Sequence, residues 1–225
     1  MGQAPVDDRD GPGGLIDTTR PAEMKLYASP RSPYVRKVRV AAHELGLSER
    51  LTLVEATPKN VIELVSPDNP LGQIPTLVLG DGTAIYDSPV VCDYLDTLHD
   101  RAPLIPRDGP ARWQALKLQA VGDAMLDQAI AVYMDEGRPA ERRDEALLDR
   151  RRTRLKRCLS ALEDDAASLD EALTIGPIAV ACALGYLDFR LGRYFWRPEQ
   201  PDLEAWFDRF AERPSMRATQ HPGPG

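Results

Sequence analysis

Three short stretches bring together groups that could do chemistry: Ser32-Pro33-Tyr34, Gln73-Ile74-Pro75 and Asp87-Ser88-Pro89. Ser32 stands as the natural N-cap of a helix, with Pro33 at its first position. A helix N-terminus presents unpaired N–H groups and partial positive charge, so an anion or thiolate brought there is stabilised, and the hydroxyl adds one donor. Capping alone also accounts for a Ser before Pro, and both readings stand. Pro75 opens a strand, where a cis X-Pro bond reverses the chain. Such a bend leaves the N–H and C=O of Ile74 outside the sheet, free to bind an extended peptide, although an ordinary edge-strand Pro is the alternative. Asp87 and Ser88 begin a helix, and each is a cap in its own right.

The elements around these groups follow from periodicity. Lys25 to Ala28 reads as a short strand, and Tyr34, Val38, Ala41 and Leu45 recur at helical spacing. Leu51 to Glu55 alternates as a second strand ended by Thr57-Pro58; Lys59 to Val65 is either a short helix or a loop. Asn69 to Pro75 is a turn into the strand Thr76 to Leu79, with Gly80-Asp81-Gly82 as a hairpin turn and Thr83 to Tyr86 returning. The helix opened by Asp87 carries Val91, Leu95 and Leu98 on one face. The order is a βαβ unit joined to a ββα unit.

Charge and composition exclude several functions. The 225 residues hold 28 Lys plus Arg against 35 Asp plus Glu, a formal net charge of −7, which disfavours nucleic acid and anionic membrane as partners. No stretch approaches the ~20 apolar residues of a membrane helix, and no signal peptide is visible, so a cytoplasmic location is expected. Cys92, Cys158 and Cys182 lie far apart in helical apolar patterns and read as core residues; no metal or disulfide is implied.

Residues 1–22 have the composition of a flexible tail. Residues 23–100 form the first domain and 101–110, with three prolines, a linker. The pattern over 111–216 is entirely helical, and 217–225 reads as a loose tail. One long helix carries Trp113, Leu116, Ala120, Leu126, Ile130 and Tyr133 up to Gly137. The second carries Leu148, Leu155, Leu159 and Leu162, with an Arg-rich face that acidic neighbours make a solvated, salt-bridged surface. Thr174 starts a third that is apolar nearly all round and should be the buried axis of this half.

The three corners in their order and spacing resemble the soluble glutathione S-transferase family. Its marks are a Ser, Tyr or Cys at the first corner, an Asn-Pro-x-Gly-x-(Val/Ile)-Pro turn and a (Glu/Asp)-Ser pair before the third helix; here these are Ser32, Asn69 to Pro75, and Asp87-Ser88. The run Ser-Pro-Tyr-Val-Arg-Lys at 32 to 37 is similar to a bacterial branch of that family. The resemblance covers about residues 24 to 215 and implies an α/β thioredoxin-like N-terminal domain plus an all-α C-terminal helical domain. Where a thioredoxin-like corner carries Cys-Pro-Tyr-Cys, this one reads Ser32-Pro33-Tyr34-Val35, so any thiol must arrive with a ligand. The family's Ser/Thr-x-x-Asp box at the start of the buried helix is incomplete, because Thr174 is followed by Pro177; the Thr cap is expected to survive.

The resemblance further implies that glutathione is the co-substrate, lying extended along the corners. Ile74, on a cis-Pro75 turn, would hold its cysteinyl backbone; Asp87 and Ser88 its γ-glutamyl end; Gln73 and, less directly, Lys59 its glycyl end. The Ser32 hydroxyl would donate to the sulfur, holding it as the thiolate, the form that attacks an electrophile. Tyr34, Met125, Leu126, Ile130 and Tyr133 would wall an apolar pocket for the second substrate, though core packing explains each equally well. The family also implies a homodimer and no metal. A transferase leads; a glutathione-dependent isomerase or dehalogenase and a non-catalytic binding protein stay open.

Overall fold

The computed structural model describes residues 23–192 and 195–223, and the tail expected over residues 1–22 lies outside them. The first half is a four-stranded sheet in the order β2-β1-β3-β4. β1 (Met24–Ala28) runs parallel to β2 (Leu51–Glu55), with Leu26 opposite Leu53, and antiparallel to β3 (Thr76–Val78), with Leu26 opposite Leu77. β4 (Ala84–Ile85) closes the hairpin after β3. Strand alternation divides the side chains: Met24, Leu26, Ala28 and Leu77 enter the main core, while Tyr27 and Val78 pack with Val65 on the other face.

Helix α1 (Pro33–Glu44) links the parallel strands and packs against α3 (Ser88–Leu95); α2 (Val61–Val65) resolves the open reading at 59–65 as one short helix. The second half begins with α4 (Gly109–Glu136), followed by α5 (Glu145–Asp164) and α6 (Ile175–Arg190). α4 and α6 run parallel and nearly touch, because Gly122 faces the backbone of Ala179 and Gly176 faces Leu118. α6 is buried along almost its whole length and also packs on α1, which makes it the axis joining the halves. α5 buries Leu148, Leu155, Leu159 and Leu162 and turns its arginines to the surface, where Arg151 pairs with Asp135 and Arg152 with Glu136. α7 (Pro201–Ala211) and α8 (Pro214–Arg217) complete the domain.

Two sequence expectations are corrected here, and the linker gains detail. The linker is pinned: the Asp96 carboxylate accepts from the N–H groups of Leu104 and Ile105, and the Leu104 carbonyl accepts from Ile175 N–H. Thr174 occupies the N-cap position of α6 but its side chain makes no capping bond. Pro177 falls in the first turn, where its missing N–H has no helical partner to lose. The tail is not loose over 217–221: Thr219 is buried, and His221 stacks on Phe189 with 4.8 Å between ring centres. Aromatic burial holds a segment whose Gly and Pro content suggested freedom.

Candidate functional site

At the first corner the Ser32 hydroxyl oxygen accepts from Val35 N–H at 3.3 Å, with the extended backbone of an N-cap. The oxygen accepts while its hydrogen remains to be donated, so capping and activating a ligand do not compete. At the second corner the Ile74–Pro75 bond is cis, and neither backbone group of Ile74 has a backbone partner among the described residues. The turn is held from within. Asn69 donates to Thr76 Oγ1 at 2.9 Å and its oxygen accepts from Leu71 N–H at 3.0 Å, while Thr76 donates to the Gln73 carbonyl at 2.8 Å. Gly72 takes the left-handed φ of +59° that this turn requires.

At the third corner the Asp87 carboxylate accepts from Ser88 N–H as the N-cap of α3. Ser88 is 1% exposed and its Oγ has no partner among the described residues. A buried hydroxyl left unpaired costs about 1–3 kcal/mol, so this atom is a place where a ligand gains more than it would on the surface.

Gln73, Ile74, Asp87, Ser88 and Tyr34 line one cleft of about 480 Å³. Its opposite wall comes from α4, through Asp123 and Asp127. The Tyr34 hydroxyl donates to Asp127, and burial together with that carboxylate raises its pKa, so it stays protonated and occupied. The Ser32 O–H has no acceptor among the described residues, and Ser32 itself lies outside the lining of this cleft. Asp123 accepts from the buried Lys37 ammonium, 2.6 Å from each oxygen, and burial raises the carboxyl pKa more than Lys37 lowers it.

Two residues expected in the second-substrate wall are not there. Met125 and Leu126 are fully buried, because the face of α4 carrying Gly122, Met125, Leu126 and Ala129 packs inside the helical domain. Helical spacing instead turns Asp123, Asp127 and Ile130 toward the other side. Ile130 is half-buried, and Tyr133 is partly exposed and bonded to Arg190. Lys59 is exposed and outside the cleft lining. Sequence reasoning missed Asp123, Asp127 and Lys37. The signal was present: two carboxylates at i, i+4 beside an apolar helix face, and a lysine one turn beyond Tyr34 on the apolar side of α1.

A thioredoxin-like sheet whose helix ends face a helical domain across a polar cleft defines a class of two-domain proteins. Family models place the chain within that class: residues 31–98 match "Glutathione S-transferase, N-terminal domain" and residues 145–209 match "Glutathione S-transferase, C-terminal domain". The chain is 31% identical over 202 residues to the uncharacterized GST-like protein YibF of Escherichia coli K12, covering 88% of this chain and 99% of that one. A glutathione transferase family member from Pseudomonas fluorescens Pf-5, solved with bound glutathione, superposes with a TM-score of 0.85 at 44% identity, covering 89% and 100% of the two chains. A second structure from the same organism, with bound S-(propanoic acid)-glutathione, gives 0.81 at 45% identity over 88% and 99%. The chain belongs to the glutathione S-transferase family.

Proposed function

We propose that the protein is a glutathione transferase in which Ser32 activates the glutathione thiol for attack on a small electrophile. The observation that carries this is the buried, unpartnered Ser88 Oγ at the N-terminus of α3. That atom, with the N–H groups of the helix end, suits the α-carboxylate of a γ-glutamyl group. The open backbone of Ile74 suits an antiparallel pair of hydrogen bonds to the cysteinyl residue, and Asp87 suits the ammonium. Gln73 reaches toward the glycyl end, and Lys59 toward it only from outside the cleft lining.

The sulfur would then lie at the corner where Ser32 keeps a free O–H. A thiol of pKa near 8.5 is mostly protonated at neutral pH; a charge-assisted hydrogen bond of roughly 1.5–3 kcal/mol lowers that by about one to two units. Ser32 donates this bond without losing its proton. The thiolate attacks, and the leaving group or displaced electron pair departs on the electrophile. That a relative binds glutathione substituted on sulfur supports a reading in which sulfur carries the transferred group. In this reading the protein works in the cytoplasm, where glutathione is kept reduced.

The test is the ultraviolet difference spectrum of bound glutathione against pH, for wild type and Ser32→Ala. A depressed sulfur pKa in wild type that reverts in the variant is the expected result; an unshifted thiol in both ends the assignment of Ser32. The reading includes a homodimer, supported by Ile62, Leu71, Val90 and Trp113, all apolar and more than half exposed. Light scattering should give about twice the 24.9 kDa chain mass, and a monomer at working concentration removes this part.

A further inference from the structure

The last turn of α6 holds a cation that the reading above does not use. The Arg190 guanidinium lies 4.0 Å from the Phe189 ring centre and 4.4 Å from that of Tyr133. One Nη1 hydrogen goes to the Tyr133 hydroxyl at 3.1 Å. Its Nε is buried with no partner among the described residues. No carboxylate among the described residues lies within ion-pair reach of it, whereas Arg197 contacts Asp188, Glu204 and Asp208. An arginine has five donors, and this one is stacked in place with most of them unspent.

Its place in the fold gives the cation a use. His221 stacks on Phe189 and its Nδ1 lies 3.1 Å from the Pro30 carbonyl, so the Arg190 cluster abuts the loop that leads into Ser32. On the other side, Tyr133 stands on α4 about 9 Å along the helix axis from Asp127, which binds Tyr34. Through these contacts Arg190 neighbours both the loop before Ser32 and the end of α4 beyond Asp127, while the carboxylates Asp87, Asp123 and Asp127 gather in the cleft and the cation stands outside its lining. His221 is held neutral by burial and by Arg36 and Arg190, so it neither competes for an anion nor repels one.

We propose that Arg190 binds the carboxylate of an anionic second substrate, a short α,β-unsaturated carboxylic acid, and so sets specificity at this end of the site. The inference rests on the glutathione reading above. The step balances without a further reagent: the thiolate sulfur bonds to the β-carbon, the π pair moves to the α-carbon, and water supplies the proton taken there. Arg190 touches neither the α- nor the β-carbon; it holds the conjugated carboxylate, which orients the acceptor and offsets the charge that the shifted π pair places there.

Calorimetric binding of glutathione, S-(2-carboxyethyl)glutathione and S-propylglutathione to wild type and Arg190→Met separates the two claims. The expected result is a preference of roughly ten- to a hundred-fold for the carboxyethyl over the propyl thioether in wild type, lost in Arg190→Met, with glutathione affinity unchanged in both. Absence of that preference in wild type that binds glutathione, or its survival in the variant, overturns the role of Arg190 and leaves the transferase reading standing. Failure of wild type to bind glutathione overturns both. Glutathione binding by the variant is its folding control, and Arg190→Gln takes its place should Arg190→Met fail that control.

Discussion

The Lys37 ammonium, fully buried, sits 2.6 Å from each oxygen of Asp123 and so ties the helix that follows Ser32 to the helix that walls the cleft. An ion pair in such a place holds two domains in register, because the Lys37 charge cannot rehydrate without the halves parting. Removing one partner strands the other. Lys37→Met or Asp123→Leu should each cost about 3 kcal/mol in denaturant unfolding, at the low end for buried pairs because Asp123 keeps some solvent contact. The double variant Lys37→Met/Asp123→Leu should lose less than the two single losses added. Additivity of the singles would show that the pair does not act as a unit.

Ser88→Ala separates binding from stability. Because the Oγ satisfies nothing in the protein, its removal should leave the unfolding midpoint unchanged or slightly raised. Glutathione affinity should fall roughly ten-fold. A drop in stability with unchanged affinity would mean that the hydroxyl serves the fold.

Close approach of α4 and α6 depends on Gly122. A Cβ there would stand 2.7 Å from the Ala179 backbone carbon, which cannot move aside as a side-chain tip can. Gly122→Ala is therefore expected to destabilise by roughly 1–3 kcal/mol despite the better helix propensity of alanine. A thermal melt at or above wild type would contradict this packing.

The acid limb of stability should carry the signature of Glu44. Burial pushes its carboxyl up, but hydrogen bonds from Arg213 and Ser215 hold it net below its ordinary 4.5. The folded state thus favours the ionised form more than the unfolded chain does. Its contribution is complete above about pH 4.5 and is lost as pH falls through the lower folded value. Glu44→Gln should flatten that part of the stability–pH curve while leaving the slope at higher pH unchanged.

His221 should take up its proton at lower pH than an exposed histidine does. Burial and the nearby Arg36 lower its pKa from 6.5 to about 4, so its docked state is fully favoured above pH 6.5 and weakens between 6.5 and about 4. Its ring resonances followed by NMR should show a midpoint near 4. A midpoint near 6.5 would mean that the tail is not docked on Phe189.

The corners were legible because each is a local rule with a residue signature. Ser-Pro opens a helix, Pro at a strand mouth turns the chain, and Asp-Ser-Pro opens another helix; all three stand where the spacing put them. The buried axis of the second domain was equally plain, since Ile175–Arg190 is apolar at every phase of the helix.

What the chain alone could not disclose depended on which face of a helix meets which neighbour. Met125 and Leu126 have the composition of pocket walls, yet Gly122 lets α4 sit so close to α6 that they become core and Asp123 and Asp127 become wall. The tail at His221 follows the same logic, because a docking ring is visible only once Phe189 and the Pro30 loop are brought beside it. Local caps and turns are written in neighbouring residues and so determined by sequence. The partner of Lys37, the burial of Ser88 and the open face of Arg190 are contacts between segments tens of residues apart, which tertiary packing alone decides.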